Sequence, residues 1–440
     1  MDIHNLHTGS GTQLNYNGPG QNINHGRDQN INHGRDQNIQ QYFGAEIDSR
    51  RVLWDAIKHV GFSHKAEHQF SRGECLEGTR EKVLQIIHGW RIPDGCEPPI
   101  CWLAGAAGVG KTSIAMTVAN SCEQDELVTS FFFFRTDANR NNPAALILAI
   151  AHGLAVTNTL AREEISERIR VDWSILGARL EEQFEGLVVQ PVAKSCARQT
   201  TASHCFAFND PTLVIIDGLD ECGDEETQLR LLSAISSAYQ QYPRFPLRFL
   251  ICSRPEPWIR QAVEAPPLLD ATKVIRLDED FNPTRDIRRY YNHEFQDILR
   301  SPKFCEVSFP NPWPSEEDLR RLVRMSDGQF AHASTTVRFV RQDFSHPVDQ
   351  LRLVLDTDPD CRRLETPFRP LDSLYNMVLK ANSSPSKVLP IIAAIVIIPR
   401  QVDVKPSPLF IELLLGLSPG IVSLTLRALH SVLDIRGRSD

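Results

Sequence analysis

The chain has 440 residues, 41% of them apolar and 23% charged, which suits a soluble globular protein with room for two or three domains. A net charge of −8 gives no basic field for nucleic acid or an anionic membrane surface, so neither is expected as a partner. The ten cysteines form no C-x-x-C pair and no His/Cys cluster, which favours buried reduced thiols in an intracellular chain over a disulfide framework or a zinc site.

The opening stretch MDIHNLHTGSGTQLN has no signal-peptide core, and a cytoplasmic location is expected. Residues 1–44 are rich in Asn, Gln, Gly and His and contain QNINHGRD at Gln21–Asp28 and again at Gln29–Asp36, restarting at Gln37. One apolar residue per repeat cannot bury a core, so the segment reads as a disordered leader. The alternative is a self-associating strand stack in which Ile23, Ile31 and Ile39 form one stripe. Residues 45–98 read as a helical lead-in. Val52, Leu53, Ile57 and Val60 fall at helical spacing, and Thr79 to Trp90 opens like a capped amphipathic helix.

From 99 to 280 short solid apolar runs alternate with helical stretches: Ile100–Ala104, Ser130–Phe134, Leu213–Ile216, Phe249–Cys252 and Val274–Leu277. That alternation predicts an α/β fold with a parallel sheet covered on both faces. Residues 195–211 fit no element and read as a loop insertion. Beyond Asn282 strand signals give way to helices, broken by prolines at 309–314 and 366–370. Val388 to Ile398 is about half the length a bilayer requires, so it reads as buried helix or strand, and Ile421 to Leu433 as a last apolar helix.

Three strand ends carry chemistry. Gly105, Ala106, Ala107, Gly108, Val109, Gly110, Lys111 and Thr112 match G-x-x-x-x-G-K-[ST] between a buried strand and a helix that opens at Ser113. Such glycines let backbone N–H groups wrap phosphates at a helix amino end; Lys111 would reach the β- and γ-phosphates and the Thr112 hydroxyl would ligate magnesium. Leu213-Val-Ile-Ile-Asp217-Gly-Leu-Asp220-Glu221 ends a buried strand in acids. Asp217 is the candidate magnesium ligand, and Glu221, or failing it Asp220, the candidate base for the attacking water; on its own the segment also reads as a turn and helix start. Arg254, after Arg248-Phe-Leu-Ile-Cys-Ser253, would either sense the γ-phosphate or pair with a nearby acid. No NKxD-type guanine-reading motif follows.

In order and spacing, the phosphate loop, DGLDE and CSRP resemble the NACHT NTPase domain of the STAND signalling ATPases, and in particular fungal NOD-like proteins with a nephrocystin-3-like amino-terminal module. Cys75–Arg80 is similar to the element ahead of the phosphate loop, Phe131–Asp137 to the second strand, and Gly328–Thr335 to a helical-domain signature. The resemblance implies a P-loop NTPase core followed by a helical domain (283–345) and a winged-helix-like domain (370–436). It also implies bound ADP with Mg2+ in a closed state, exchange for ATP, slow hydrolysis, and self-association through the NTPase domain that engages an effector or sensor protein. His430 is the candidate for the winged-helix histidine that contacts ADP, or else is a surface or core histidine. Such proteins usually continue into a repeat array, and no such repeats occur here. Either the sequence is a fragment or truncated gene model, or another chain supplies the sensor. The other readings are a constitutive P-loop ATPase or kinase, and a scaffold that no longer hydrolyses.

Overall fold

The computed structural model describes residues 48–66, 73–91, 97–122, 126–202, 213–243, 245–342, 345–356, 375–376, 379, 385–401 and 407–427. The leader repeats and His430 lie outside the described residues.

Five strands form one parallel sheet: β1 Ile100–Ala104, β2 Leu127–Phe132, β3 Leu213–Asp217, β4 Arg248–Ser253 and β5 Thr272–Arg276, in the spatial order β2-β3-β4-β1-β5. Residues on both faces of β1, β3 and β4 are buried, which is why these strands are solid apolar runs and show no alternation. On one face Cys101, Leu103, Ile215, Leu250 and Cys252 join a core with Val83, Ile87 and Trp90 of the helix Glu81–Arg91 and with Ile114, Ala115 and Val118 of the helix Lys111–Ser121. On the other, the Phe249 ring meets Phe184 and Tyr239, and β2 lies against the helix Pro143–Thr157.

β4 lies between the phosphate-loop strand and the acid-tipped strand. Ala104 pairs with Ser253 and Asp217 with Cys252, so the carboxyl ends of β1, β3 and β4 reach one edge together. That edge is where open parallel sheets receive ligands.

Several expectations need correction. β2 begins at Leu127 and ends at Phe132, so Phe133 and Phe134 belong to the loop beyond it, and Leu277 starts a short helix instead of ending β5. Thr79 does not cap its helix: its hydroxyl donates to the Leu76 carbonyl at 2.6 Å, and Arg80 at φ 55° makes the entry turn. Residues 195–202 are not loop but the end of the helix Gln190–Ala202, which ion pairs from Lys194 to Glu164 (3.1 Å) and from Arg198 to Glu163 (2.9 Å) fasten to the helix Thr159–Val171. Ala193, Lys194, Ala197 and Arg198 are strong helix formers, and they outweigh the polar residues around them.

After β5 the described residues are helical. Ile287, Tyr291, Leu322, Met325, Val337, Leu351 and Val354 share a core built from the helices Thr284–Arg300, Glu316–Ser326, Phe330–Val340 and Pro347–Asp356. Ile391, Ala394, Ile411, Val422 and Leu426 form a smaller one. Its helices are Pro385–Gln401, Pro408–Leu415 and Ile421–Arg427, and the described residues of 385–427 contain no strand. Val388 to Ile398 is helical but only half buried, since Leu389, Val396 and Ile397 remain exposed. Among the described residues no helix is long and apolar enough to cross a membrane. Cys101, Cys222 and Cys252 are buried free thiols, and burial pushes the first two up to about 12; Cys305 is exposed.

Candidate functional site

At the carboxyl edge of the sheet the chain leaves β1 through Gly105 and re-enters helix at Lys111. Gly108 (φ 80°) and Gly110 (φ 99°) are left-handed, a conformation costly for any residue with a Cβ, and they roll the loop around the helix amino end. Ala107, Gly108, Gly110, Lys111, Thr112 and Ser113 line a cleft of about 1140 Å3. Gly105, Ala106 and Val109 do not line it. The Val109 side chain is buried in the core, and the Ala106 N–H donates to the Asp278 carboxylate at 2.6 Å, which fixes the start of the loop.

The Lys111 ammonium curls back onto the loop, donating to the carbonyls of Gly105 (2.6 Å) and Ala106 (2.8 Å). Burial lowers its pKa, against the pull of Asp217 and Asp220. The Thr112 hydroxyl donates to Asp217 Oδ2 at 2.8 Å, so the two candidate magnesium ligands meet. Among the described residues no group of three or more metal-ligating acids, His or Cys forms. Thr112 and Asp217 supply two oxygens, the protein share that magnesium takes when phosphate and water complete its shell.

The acids after β3 are held in different ways. Gly218 (φ 77°) turns the chain into a short 3-10 segment, Leu219–Glu221. Asp220 is 3% exposed and faces Arg254: its Oδ1 accepts the Arg254 backbone N–H at 3.0 Å, and its Oδ2 lies 3.3 Å from Arg254 Nε without hydrogen-bond alignment. Glu221 is only half buried, and its carboxylate accepts the Arg135 backbone N–H at 3.0 Å. Asp217, Asp220, Glu221 and Arg254 all line the same cleft. The structure thus brings the three strand-end motifs together, and Arg254 does pair with a nearby acid.

Sequence reasoning gave no role to the opposite wall. Tyr290, Glu294, Phe330, Ala331, Ser334 and Arg338 enclose the cleft from two later helices. Phe330 and Ala331 close directly on the loop: the Ala331 N–H donates to the Gly108 carbonyl at 2.9 Å, and a Cβ on Gly108 would come 2.7 Å from Ala331 Cβ. Arg80, noted only as part of a similar segment, is 5% exposed. Its Nη2 donates to the Val109 carbonyl at 2.7 Å, its guanidinium lies 5.0 Å from the Phe330 ring centroid, and its backbone N–H donates to Asp286 at 3.0 Å. Nε and Nη1 are buried and have no hydrogen-bond partner, although Arg80 lines the cleft. Orphaned guanidinium nitrogens beside a phosphate loop fit a ligand that brings acceptor oxygens or ring nitrogens. The residues present therefore suit a magnesium-bound nucleotide.

No curated protein matches the chain. The family described as Nephrocystin 3, N-terminal matches residues 78–254, a stretch that opens just before Arg80, takes in the phosphate loop and the acids after β3, and closes on Arg254. Over residues 78–254 the chain is thus similar to the nephrocystin-3-like N-terminal family, consistent with a NACHT or NOD-like module.

Proposed function

We propose that this chain is an ATP-operated switch of the NACHT class, which holds ADP in a resting state and assembles with ATP bound. The observation that carries the reading is the meeting of three motifs at one sheet edge: the left-handed glycines with Lys111, the Thr112–Asp217 contact at 2.8 Å, and the Asp220–Arg254 pair. In this reading Lys111 leaves the carbonyls of its own loop for phosphate oxygens, and Thr112 and Asp217 would hold magnesium, whose chemistry when bound would be to offset phosphate charge. Glu221 accepts the proton of the attacking water as its oxygen bonds to the γ-phosphorus; the bond from that phosphorus to the bridging oxygen breaks, and the electron pair leaves with ADP.

Support for a switch over a metabolic enzyme comes from the second wall. Helices of a separately cored segment touch the loop itself through Ala331 and Phe330, so loop and wall respond together to what fills the cleft. The three helices of 385–427 are the helical part of a winged-helix-like domain in this reading. Self-association in the ATP state, an effector or sensor protein as partner, and a cytoplasmic location complete it.

Calorimetric titration with Mg-ATP tests the proposal. Lys111→Ala is expected to lose at least tenfold in affinity while its thermal midpoint stays within a few degrees of the parent chain. Wild-type turnover is expected well below about 1 per second, against roughly 10 for ordinary enzymes. Equal affinity in the two proteins sinks the phosphate-loop assignment, and fast turnover favours a constitutive ATPase.

A further inference from the structure

Beyond the end of β2 the chain folds back on itself. The Arg140 N–H donates to the Asp137 carbonyl at 2.9 Å, and the Phe134 N–H to the Arg140 carbonyl at 3.2 Å. This turn sets the Arg140 side chain against its own strand end. The guanidinium is fixed twice: Nε donates to Asp137 Oδ2 at 2.9 Å, and Cζ lies 4.8 Å from the Phe134 ring centroid. The residue is only 9% exposed, yet it lines the cleft together with Asp217, Glu221 and Arg254. Among the described residues neither Nη1 nor Nη2 has a hydrogen-bonding protein partner. A guanidinium clamped through Nε and one ring face keeps its two-pronged edge free, and that edge matches two oxygens of one phosphate.

We propose that Arg140 reads the terminal phosphate of a nucleoside triphosphate and so lets the cleft distinguish triphosphate from diphosphate. The inference rests on the nucleotide reading above and adds a residue outside all three motifs. Sheet order supports the terminal position. The phosphate loop follows β1, whereas Arg140 follows β2, beyond the Asp217 strand on the far side from β1. The Phe133 N–H donates to the Asp217 carbonyl at 2.9 Å, which ties the two loops at that end. A phosphate chain that starts on the loop amides and extends past Asp217 brings its last phosphate toward Arg140. Arg254, the cation expected from sequence for this task, meets Asp220 through its Nε much as Arg140 meets Asp137. What sets Arg140 apart is that it is nearly buried and held on the Phe134 ring, whereas the Arg254 side chain is exposed.

The test is calorimetry on the full chain with Mg-ADP and with magnesium and a slowly hydrolysed ATP analogue, for the wild type, Arg140→Ala, Arg140→Lys and Asp137→Asn. Arg140→Ala is expected to bind ADP within twofold of wild type and the analogue at least tenfold more weakly. Arg140→Lys keeps the charge without the fork and falls between. Asp137→Asn, which loosens the clamp, shows a smaller loss confined to the analogue and decides the matter if Arg140→Ala does not fold. Equal losses for both nucleotides, or none, overturn the proposal and leave Arg140 as a structural part of its turn. A wild-type chain that binds neither nucleotide overturns the underlying reading, and this proposal with it.

Discussion

Asp220 and Glu221 are neighbours in sequence and differ in what holds them. Asp220 is nearly inaccessible and fastens the loop after β4 through the Arg254 backbone and side chain, whereas Glu221 is half buried in the cleft and accepts one backbone N–H. On the proposed reading Asp220 would act through Arg254, and Glu221 would be the acid placed to accept the proton of the attacking water. Glu221→Gln is expected to keep Mg-ATP affinity and lose hydrolysis by about a hundredfold or more, since an amide accepts no proton from water. Asp220→Asn keeps one acceptor for the Arg254 N–H but drops the charge, and is expected to lose about tenfold at similar affinity. Single-turnover hydrolysis of the two variants decides; if their losses are reversed, Asp220 is the base. The residue types were legible in DGLDE. Glu221 was already the favoured base; what was not legible is that Asp220 holds the Arg254 backbone N–H, because that contact comes from the end of another strand.

At the scale of elements, solid apolar runs marked the central strands β1, β3 and β4, since a strand buried on both faces has no polar side to display. The edge strand β5, by contrast, carries Lys273 and Arg276 and is only partly buried. Segment ends were read less well where the decisive partner is distant, as with the 195–202 helix. The contact between the phosphate loop and the helix Phe330–Val340 was also invisible, because it joins an alanine to a glycine that already had a local reason to be there. Gly108→Ala adds a left-handed strain and a methyl 2.7 Å from Ala331 Cβ, so the helix is expected to shift away and nucleotide affinity to fall at least tenfold. Gly108→Ala combined with Ala331→Gly is expected to recover part of that loss, and a double-mutant cycle measures how much. If the second substitution recovers nothing, backbone strain alone explains the effect and the helix contact carries no coupling.

Over the whole molecule, a sheet-centred core and a helical core are separately buried, and the helical one holds an unusual group. His332 is fully buried, its Nδ1 lies 3.3 Å from Ser326 Oγ, its Nε2 has no partner, and burial lowers its pKa to about 4. The unfolded chain takes up the proton first, near the ordinary value of about 6.5, so stability is full above that pH and declines as pH falls toward 4. The slope from one such group is at most about 1.4 kcal/mol per pH unit. His64, lowered to about 4 by burial and then by Lys65, acts in the same direction. Thermal unfolding at pH 7 and pH 5 is expected to show a larger drop in midpoint for the wild type than for His332→Leu; parallel drops would remove His332 from the account. The helical character of this half was legible from its spacing of apolar residues. Its closeness to the phosphate loop was not, since packing between segments leaves no periodicity to read.

The position of β4 has one more consequence. It separates β1 from β3, and its backbone carbonyls receive the first N–H beyond each: Gly105 on Ser253 at 3.3 Å and Gly218 on Cys252 at 2.9 Å. β4 thus works as a gauge block, setting the gap between phosphate loop and metal-side acid by its width and their relative height by its length. Its side chains are buried on both faces, so a change in their size must be matched by compensating changes in the layers packed against it. A residue inserted into or deleted from it would turn alternate side chains to the wrong face and move the two halves of the site out of step. Divergent chains built on this plan are therefore expected to vary β4 in composition and to keep its length fixed.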